Sequence, residues 1–572
     1  MDAKGQCTTA VSPGEPCNSL SASSRLKEAR LLEQAERFGF WWQSRRQMAQ
    51  RLRVPPSSFC YRWRQHRQRC QNSRLSRRLV EFCESPEGVE FLLRLMTTLH
   101  LVFGQANDCG LRNLGLFLRL SGLDELLPAS YGAQQAFAAR LEARLAEYGH
   151  EEEQRLAAQM PPREISLCED ETFHPQICLV GIEPVSGYLL LEQYAPQRDA
   201  QTWNGCLDQR LVGWPVTVVQ VTSDQATALI AHTQEHLGAH HSPDLFHVQQ
   251  ESVKATAAAL AGQTKRAHEA ATGAEQHTRQ READWAACHQ QCPQSTHLAE
   301  LEQQVASSVA AEAQARQRLA DCQQRQQQAT EARRGLSQDY HPFDLETGRP
   351  RTAEEVGRRL AVQFDRLEAV ARAAGLSARA QEKLAKARRV LPAMVSTIAF
   401  FWTTVAAWLA KCPCAATLPP AVLMWLREEL IPGLYLERAA AKAATAAERQ
   451  RLRAKAQEVL ARARSPDGMW GTLNEAQRAA VEAQARQCAE LFQRSSSCVE
   501  GHNGQLSLRH HGLHRLTARK LAALHVLHNF LVQRADGTTA AERFFGSRPQ
   551  PLLPWLLAHL SLPARPRGPA TT

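Results

Sequence analysis

Through residues 25–150 leucine and phenylalanine recur at three- and four-residue spacing, the pattern of amphipathic helices, with turn signals at Pro55-Pro56 and Asn107-Asp108-Cys109-Gly110. From Glu164 the period changes. Ile165–Phe173 predicts a strand, and Ile177–Glu183 with Tyr188–Tyr194 predicts a hairpin turning through Pro184-Val185-Ser186-Gly187. Asp199–Leu211 reads as a helix. Val216–Val221 is almost unbroken in its apolar character, as in a strand covered on both faces, and runs into Thr222-Ser223-Asp224. Gln225–Leu237 predicts a helix and Asp244–Val248 a final strand. From Gln249 to Gln493 the chain is helical and rich in Ala, Gln and Arg. That stretch opens with a helical hairpin, Glu251–Gln291 and Thr296–Ser337, broken at Pro293. Leu298, Leu301, Val305 and Leu319 fit a coiled-coil seam that Ser308 and Glu312 interrupt. Ser495–Leu562 is helical again. Residues 1–24, rich in Ser, Pro and Gly, and residues 563–572 read as tails, the first of them disordered.

Three strands, a helix, a strand, a helix and a strand is the order of a ribonuclease-H-like core, in which the first and fourth strands lie side by side. Asp170 then sits on the first strand and Asp224 at the carboxyl end of the fourth. Two acids held close repel each other, so the pair makes sense chiefly as a divalent-metal site. Mg²⁺ prefers such carboxylates. Two ions about 4 Å apart can activate a water or a 3′-hydroxyl and stabilise the leaving oxygen of a phosphodiester. A solvated Asp at a strand end is common, so neither acid carries this reading alone; topology and position carry it together. Alternation along the strand points Glu169 and Glu171 away from Asp170, with Glu171 the next candidate if the register differs. His247, on the expected last strand, is a near-site candidate or a structural histidine.

Charge adds a partner. The chain has 572 residues, length for three or four structural units, with 68 basic and 58 acidic side chains and a net charge of +10. Its 22% charged and 44% hydrophobic content excludes a wholly disordered or collagen-like chain. Between Arg37 and Arg78 there are 12 Arg and no Lys, Asp or Glu, which points to a polyanion, nucleic acid first. Within it, a helix over Arg45–Leu52 with Arg46, a stop at Val54-Pro55, and a helix over Ser57–His66 followed by Arg67 predict a helix-turn-helix-like unit at 43–67. Phe59, Tyr61 and Trp63 stand there among Arg62, Arg64 and Arg67. Arginine forks suit phosphates and guanine edges; the competing reading is a solvated basic face packed on another domain.

Other features change little. The 16 Cys are scattered, and Met1 to Gln6 lacks a signal-peptide pattern, so free thiols in a reducing cytosol are expected. Cys288, His289 and Cys292, and Cys412-Pro413-Cys414, lack a second properly spaced ligand pair for zinc. Val390–Ala410 is uncharged and long enough to span a bilayer, but its Pro, Ser, Thr and Ala content favours a buried helix in a helical domain and no membrane.

Cys168-Glu169-Asp170-Glu171-Thr172, Thr222-Ser223-Asp224-Gln225-Ala226, His241-Ser242-Pro243-Asp244-Leu245-Phe246-His247-Val248 and Ser495-Ser496-Ser497-Cys498-Val499-Glu500-Gly501-His502-Asn503 resemble bacterial insertion-sequence transposases of the DDE type. Asp339-Tyr340-His341-Pro342-Phe343 and the segment from Asp536 to Gly546 resemble the same group. The likeness runs from about Arg163 to Gly546. It implies a ribonuclease-H-like α/β core, 163–248 with 494–562, interrupted by an all-α insertion at 249–493; the helical DNA-binding region expected at 25–150 rests on the arginine run instead. It implies Glu500, 276 residues beyond Asp224, as the third carboxylate. Asp170 then bridges two Mg²⁺ ions, for which Mn²⁺ can substitute, while Asp224 and Glu500 each hold one. From the residues alone, Ser497-Cys498-Val499-Glu500 is better read as a helix capping box, and only the resemblance makes Glu500 a ligand. Trp402, Trp408 and Trp470 of the insertion read as core, with base stacking the sharper alternative. The expectation is a cytoplasmic, nucleoid-associated DNA transposase that cleaves element ends and joins them to target DNA as a dimer or larger assembly. The alternatives are a ribonuclease-H-like nuclease or resolvase without strand transfer, and a non-catalytic helical DNA-binding protein.

Overall fold

A computed structural model describes residues 22–38, 44–173, 176–411, 419–513 and 516–566. The tails proper, 1–21 and 567–572, and the Cys412 and Cys414 pair lie outside the described residues. The chain is mostly helical, with one mixed five-stranded sheet.

The sheet comprises β1 (Arg163–Phe173), β2 (Ile177–Glu183), β3 (Tyr188–Ala195), β4 (Val216–Ser223) and β5 (His240–Pro243), in the order β3-β2-β1-β4-β5. β1, β2 and β3 form an antiparallel meander, while β4 runs parallel to β1, and β5 parallel to β4. The β2–β3 turn closes where Gly187 takes φ 75°, a left-handed conformation cheap only for glycine. The Glu183 carboxylate accepts there from the amides of Val185 (2.9 Å) and Ser186 (2.7 Å). β1 pairs with β4 from Arg163↔Val216 to Cys168↔Thr222, so Asp170 and Asp224 each stand two residues past the last pair.

One expected element is misplaced. Asp244–Val248 is not a strand: the fifth strand is His240–Pro243, and a 47-residue helix, Leu245–Gln291, begins at once. Proline ends the ladder, and the Asp244 side chain caps the helix by accepting from Phe246 N at 2.8 Å. Leu245 and Val248 are one turn apart on the buried helix face. His247 therefore lies in the first turn of a helix.

Two large hydrophobic clusters organise the rest. The first joins N-terminal helices (Leu92, Leu141, Leu145), the sheet (Leu167, Val180, Leu189) and the C-terminal helices (Leu521, Phe544, Leu556). The second runs from Leu245 to Phe492 and holds Phe343, Phe401 and Tyr435. The chain enters and leaves it at adjacent points: Leu245 N donates to Arg494 O at 3.0 Å. Its first two helices, Leu245–Gln291 and His297–Asp339, form an antiparallel hairpin. Toward the tip its buried residues are chiefly small or polar, Ala271, Thr278 and Ser308, the last 3.2 Å from His277 Nδ1.

The helix Leu391–Lys411 is not buried all round. Met394, Ile398, Phe401, Val405 and Leu409 face the second cluster, whereas Ser396, Ala399, Thr403, Ala406 and Ala410 are turned away from it. It belongs to the one helical stretch among the described residues, Ala378–Ala410, long and apolar enough to cross a membrane. Its outer face is small and polar rather than greasy. Trp402, Trp408 and Trp470 are half-buried against the same cluster; Trp402 Nε1 donates to Arg351 O at 2.9 Å.

Candidate active site and nucleic-acid interface

β1 is the central strand, and its alternation divides the acids. On one face, Asp170 accepts from Asn503 Nδ2 at 2.9 Å. On the other, Glu171 accepts from Trp203 Nε1 at 3.3 Å, and the fully buried Glu169 lies 3.6 Å from His232. Asn503 belongs to the helix Ser497–Leu513, which packs across β1 and also carries Glu500 one turn earlier.

That helix is aimed by a short strap. Ser496 Oγ donates to Asp244 Oδ2, and Asp244 N donates to Ser223 O at 2.9 Å, tying the strap to the ends of β4 and β5. The strap thereby sets Glu500 against the first turn of the helix Leu245–Gln291. His247 Nε2 lies 3.4 Å from Glu500 Oε1 and 3.8 Å from Asp244 Oδ2. Asp244, His247 and Glu500 each offer a ligand atom within 4.8 Å of the others. The capping box anticipated from Ser497 to Glu500 does not form. Ser497 N donates to Ser495 Oγ (3.2 Å) and Glu500 N to Ser496 O (3.1 Å), which frees the Glu500 carboxylate for His247.

Electrostatics link Asp170 to this group. Burial, and next the negative charge of Glu500, push the Asp170 carboxyl up to about 7, with His247 opposing. Asp224 stands apart. Its Oδ1 accepts from Ala226 N at 2.8 Å, and its charge adds to the burial that raises Glu171. Asp224 is thus level with Asp170 along the parallel pair, with its carboxylate held by Ala226 N and outside the Asp244–His247–Glu500 group.

These donors fit a divalent cation. His247 Nε2 is a buried atom with no hydrogen-bond partner, and the carboxyls of Asp170 and Glu500 repel one another in a partly dry site. The Asp244 oxygens are already engaged by Phe246 N and Ser496 Oγ, so Asp244 serves mainly to hold the group together.

The arginine-rich segment forms two helices, Arg45–Arg51 and Pro56–Asn72, joined by Leu52–Pro55. Ser44 and Gln47 make a capping box at the start of the first. With the helix Ala22–Arg37 they enclose a small core of Leu32, Ala35, Met48, Ala49, Phe59 and Trp63. Phe59 and Trp63 point inward, while Tyr61 is exposed. Arg45, Arg46, Arg64 and Arg67 are exposed and Arg62 is half-exposed, and none of the five makes an ion pair among the described residues. Arg69, Arg74 and Arg77, by contrast, pair with Glu84, Glu125 and Glu81. Cys288 and Cys292 are free thiols, and His289 stacks on Trp285.

Sequence reasoning missed Asp244 and Asn503. The Pro243-Asp244 pair is a helix-start signature that could have found the first; nothing local marks the second. Residues 426–572 match a family described only as one of unknown function (DUF6399). No curated protein and no solved structure is similar to the chain.

Proposed function

We propose that the protein is a DNA transposase of the DDE type, with a ribonuclease-H-like core that cleaves phosphodiesters at element ends and joins them to target DNA. One observation carries this reading. Asn503, 333 residues further along the chain, fixes Asp170, and brings Glu500 and His247 to the end of a parallel β1–β4 pair whose far ends bear Asp170 and Asp224. Half-buried carboxyls that repel each other beside an imidazole whose Nε2 makes no hydrogen bond are typical of a catalytic or metal site rather than of a purely structural surface.

In this reading Asp170, Asp224 and Glu500 would hold divalent Mg²⁺ or Mn²⁺, with His247 as a further donor. When bound, such ions supply positive charge for the attacking and leaving oxygens. Asn503 orients Asp170 and the Ser496–Asp244 strap orients Glu500, while Asp224 would have to give up its bond from Ala226 N to join them. The oxygen of water bonds to phosphorus as the bond to the 3′-oxygen breaks, leaving a 3′-hydroxyl on the element and a 5′-phosphate on the flank. That hydroxyl attacks a target phosphodiester and displaces its 3′-oxygen. The exposed arginines at 43–67 act as a helix-turn-helix-like unit on DNA. Two ends must be held together, so the working form is a dimer or larger, in the bacterial cytoplasm.

The test is strand transfer. DNA flanking the gene is sequenced for inverted repeats, and a labelled repeat end is incubated with the protein, Mg²⁺ and plasmid. The expected outcome is label joined covalently to plasmid. Cleavage without joining makes the protein a nuclease, and inertness at every metal concentration with intact DNA binding makes it a binding protein.

A further inference from the structure

Directly behind the candidate active site, between the second hydrophobic cluster and the strap, lies a cavity of about 220 Å³. Three cationic side chains line it, Arg438, Lys442 and Arg494, with Tyr435 and His341 at its floor. None has a carboxylate within ion-pair distance among the described residues. Arg438 Nη1 donates only to the carbonyls of Ala489 (3.1 Å) and Phe492 (2.9 Å), and Arg494 Nη1 to Ser337, its carbonyl at 2.6 Å. The Lys442 ammonium makes no hydrogen bond among those residues. A guanidinium has five donors in a planar fork, so most of this capacity is unspent. The two arginines are largely enclosed, and burial pulls both below the usual arginine range, with Arg494 repelling Arg438.

Lys442 stands exposed at the mouth of the cavity, and the two half-buried like charges behind it are costly unless an anion joins them. The rest of the wall suits an anion. Ser495 and Ser497 sit at the amino end of the helix Ser497–Leu513, where backbone N–H groups and the helix dipole favour negative charge. No acidic side chain lines the cavity.

We infer that this cavity is a phosphate-binding site, and that the phosphate it takes belongs to a nucleic-acid strand whose neighbouring phosphodiester lies at Glu500. Ser497 of the wall is three residues from Glu500, and Phe246 of the wall adjoins His247, so one strand could engage both places. Planar guanidinium forks bind phosphate oxygens in bidentate fashion. The anion site stands on its own geometry; its assignment to a strand rests on the transposase reading.

The experiment uses the full chain and Lys442→Gln, a change that leaves the arginine hydrogen bonds in place, with Lys442→Arg as the charge-keeping control. Inorganic phosphate is titrated against equal ionic strength of chloride, following the melting temperature. In parallel, a fluorescein-labelled duplex is titrated by anisotropy over a range of salt. The expected result is that phosphate raises the melting temperature of the wild type and of Lys442→Arg, while Lys442→Gln weakens this effect at least fivefold. Lys442→Gln should also weaken duplex binding at least threefold and lower its salt slope by about one. A phosphate effect that Lys442→Gln abolishes without any change in duplex binding overturns the strand assignment and leaves a site for free phosphate. No phosphate effect, or one equal in all three proteins, overturns the site itself. Phosphate and duplex binding as expected, in a protein that never cleaves DNA, refutes the transposase reading and not the anion site.

Discussion

Asp170 is a carboxyl that the fold holds at a disadvantage. Its folded value, about 7, lies above the ordinary 3.8, so the unfolded chain ionises first as pH rises. The cost therefore grows from the ordinary carboxylate range up to about pH 7 and is complete above it. Asp170→Asn removes that cost while keeping the acceptor for Asn503. At pH 8 in EDTA it should melt higher than the wild type, by on the order of 1–3 kcal/mol in stability. The same change should abolish cleavage. Asp224→Asn and Glu500→Gln should do likewise, with end-binding intact in all three by anisotropy. Glu500→Gln is the most discriminating, since no capping role remains to account for its effect. If it keeps near-normal strand transfer while both Asp variants are dead, the third ligand is Glu171 or His247. Alternation along β1 was enough to separate Asp170 from Glu169 and Glu171 by face. The approach of Glu500 to His247 was beyond sequence reasoning, because it depends on a hydrogen bond between Ser496 and Asp244 across 252 positions.

At the scale of elements, the proposed reading gives the arginine helices the grip on DNA and the Ser496–Asp244 link the aim of Glu500, so the two should fail separately. Replacing Arg62, Arg64 and Arg67 by Gln should weaken binding to element ends and lower its salt slope by about one for each phosphate no longer neutralised. Unchanged affinity and slope in an anisotropy titration would remove the 43–67 unit from the interface. The helix Leu391–Lys411 shows what periodicity could and could not tell. Its lack of charge was plain, but the single buried stripe through Ile398 and Phe401 emerges only against the second cluster. Ile398→Ala should cost about 2–4 kcal/mol by denaturant titration, whereas Ala406→Ser should be near neutral. The misplaced fifth strand has a simple cause. Leu245-Phe246-His247-Val248 is a short, mostly apolar run that fits a buried strand or one helical turn, and the Asp244 cap after Pro243 decides between them.

The whole molecule stores several histidines that the fold keeps neutral. Burial pushes His100, His240 and His528 down to about 4. Between about pH 6.5 and 4 the unfolded chain binds protons there that the folded chain does not, so stability falls as pH drops through that window. Each contributes roughly 1–3 kcal/mol. Glu153 acts in the same direction. Arg210, bonded to both of its oxygens, holds its carboxyl far below the ordinary 4.5, so its stabilisation is lost as pH falls beneath that value. Thermal melts from pH 7.5 to 4.5 should show a steep decline that His100→Gln makes shallower. A flat profile would show that these rings are solvated in solution. The mixture of helices and one sheet was legible from periodicity alone. The joining of residues 77–160 to the sheet in one core was not, since which amphipathic faces meet is a long-range fact.

Leu245 and Arg494 bracket nearly half the chain, yet a single backbone hydrogen bond joins them. With the intervening stretch unfolded, drawing its ends together would cost roughly 5 kcal/mol of loop-closure entropy for about 250 residues. With it folded, that cost is already met, and the stretch behaves as a staple a few ångströms wide. The second cluster, whose Leu245 and Val248 flank His247, therefore helps to set how Glu500 approaches Asp170. Warming that loosens Phe343, Phe401 and Tyr435 should part Glu500 from Asp170 before the sheet itself begins to melt.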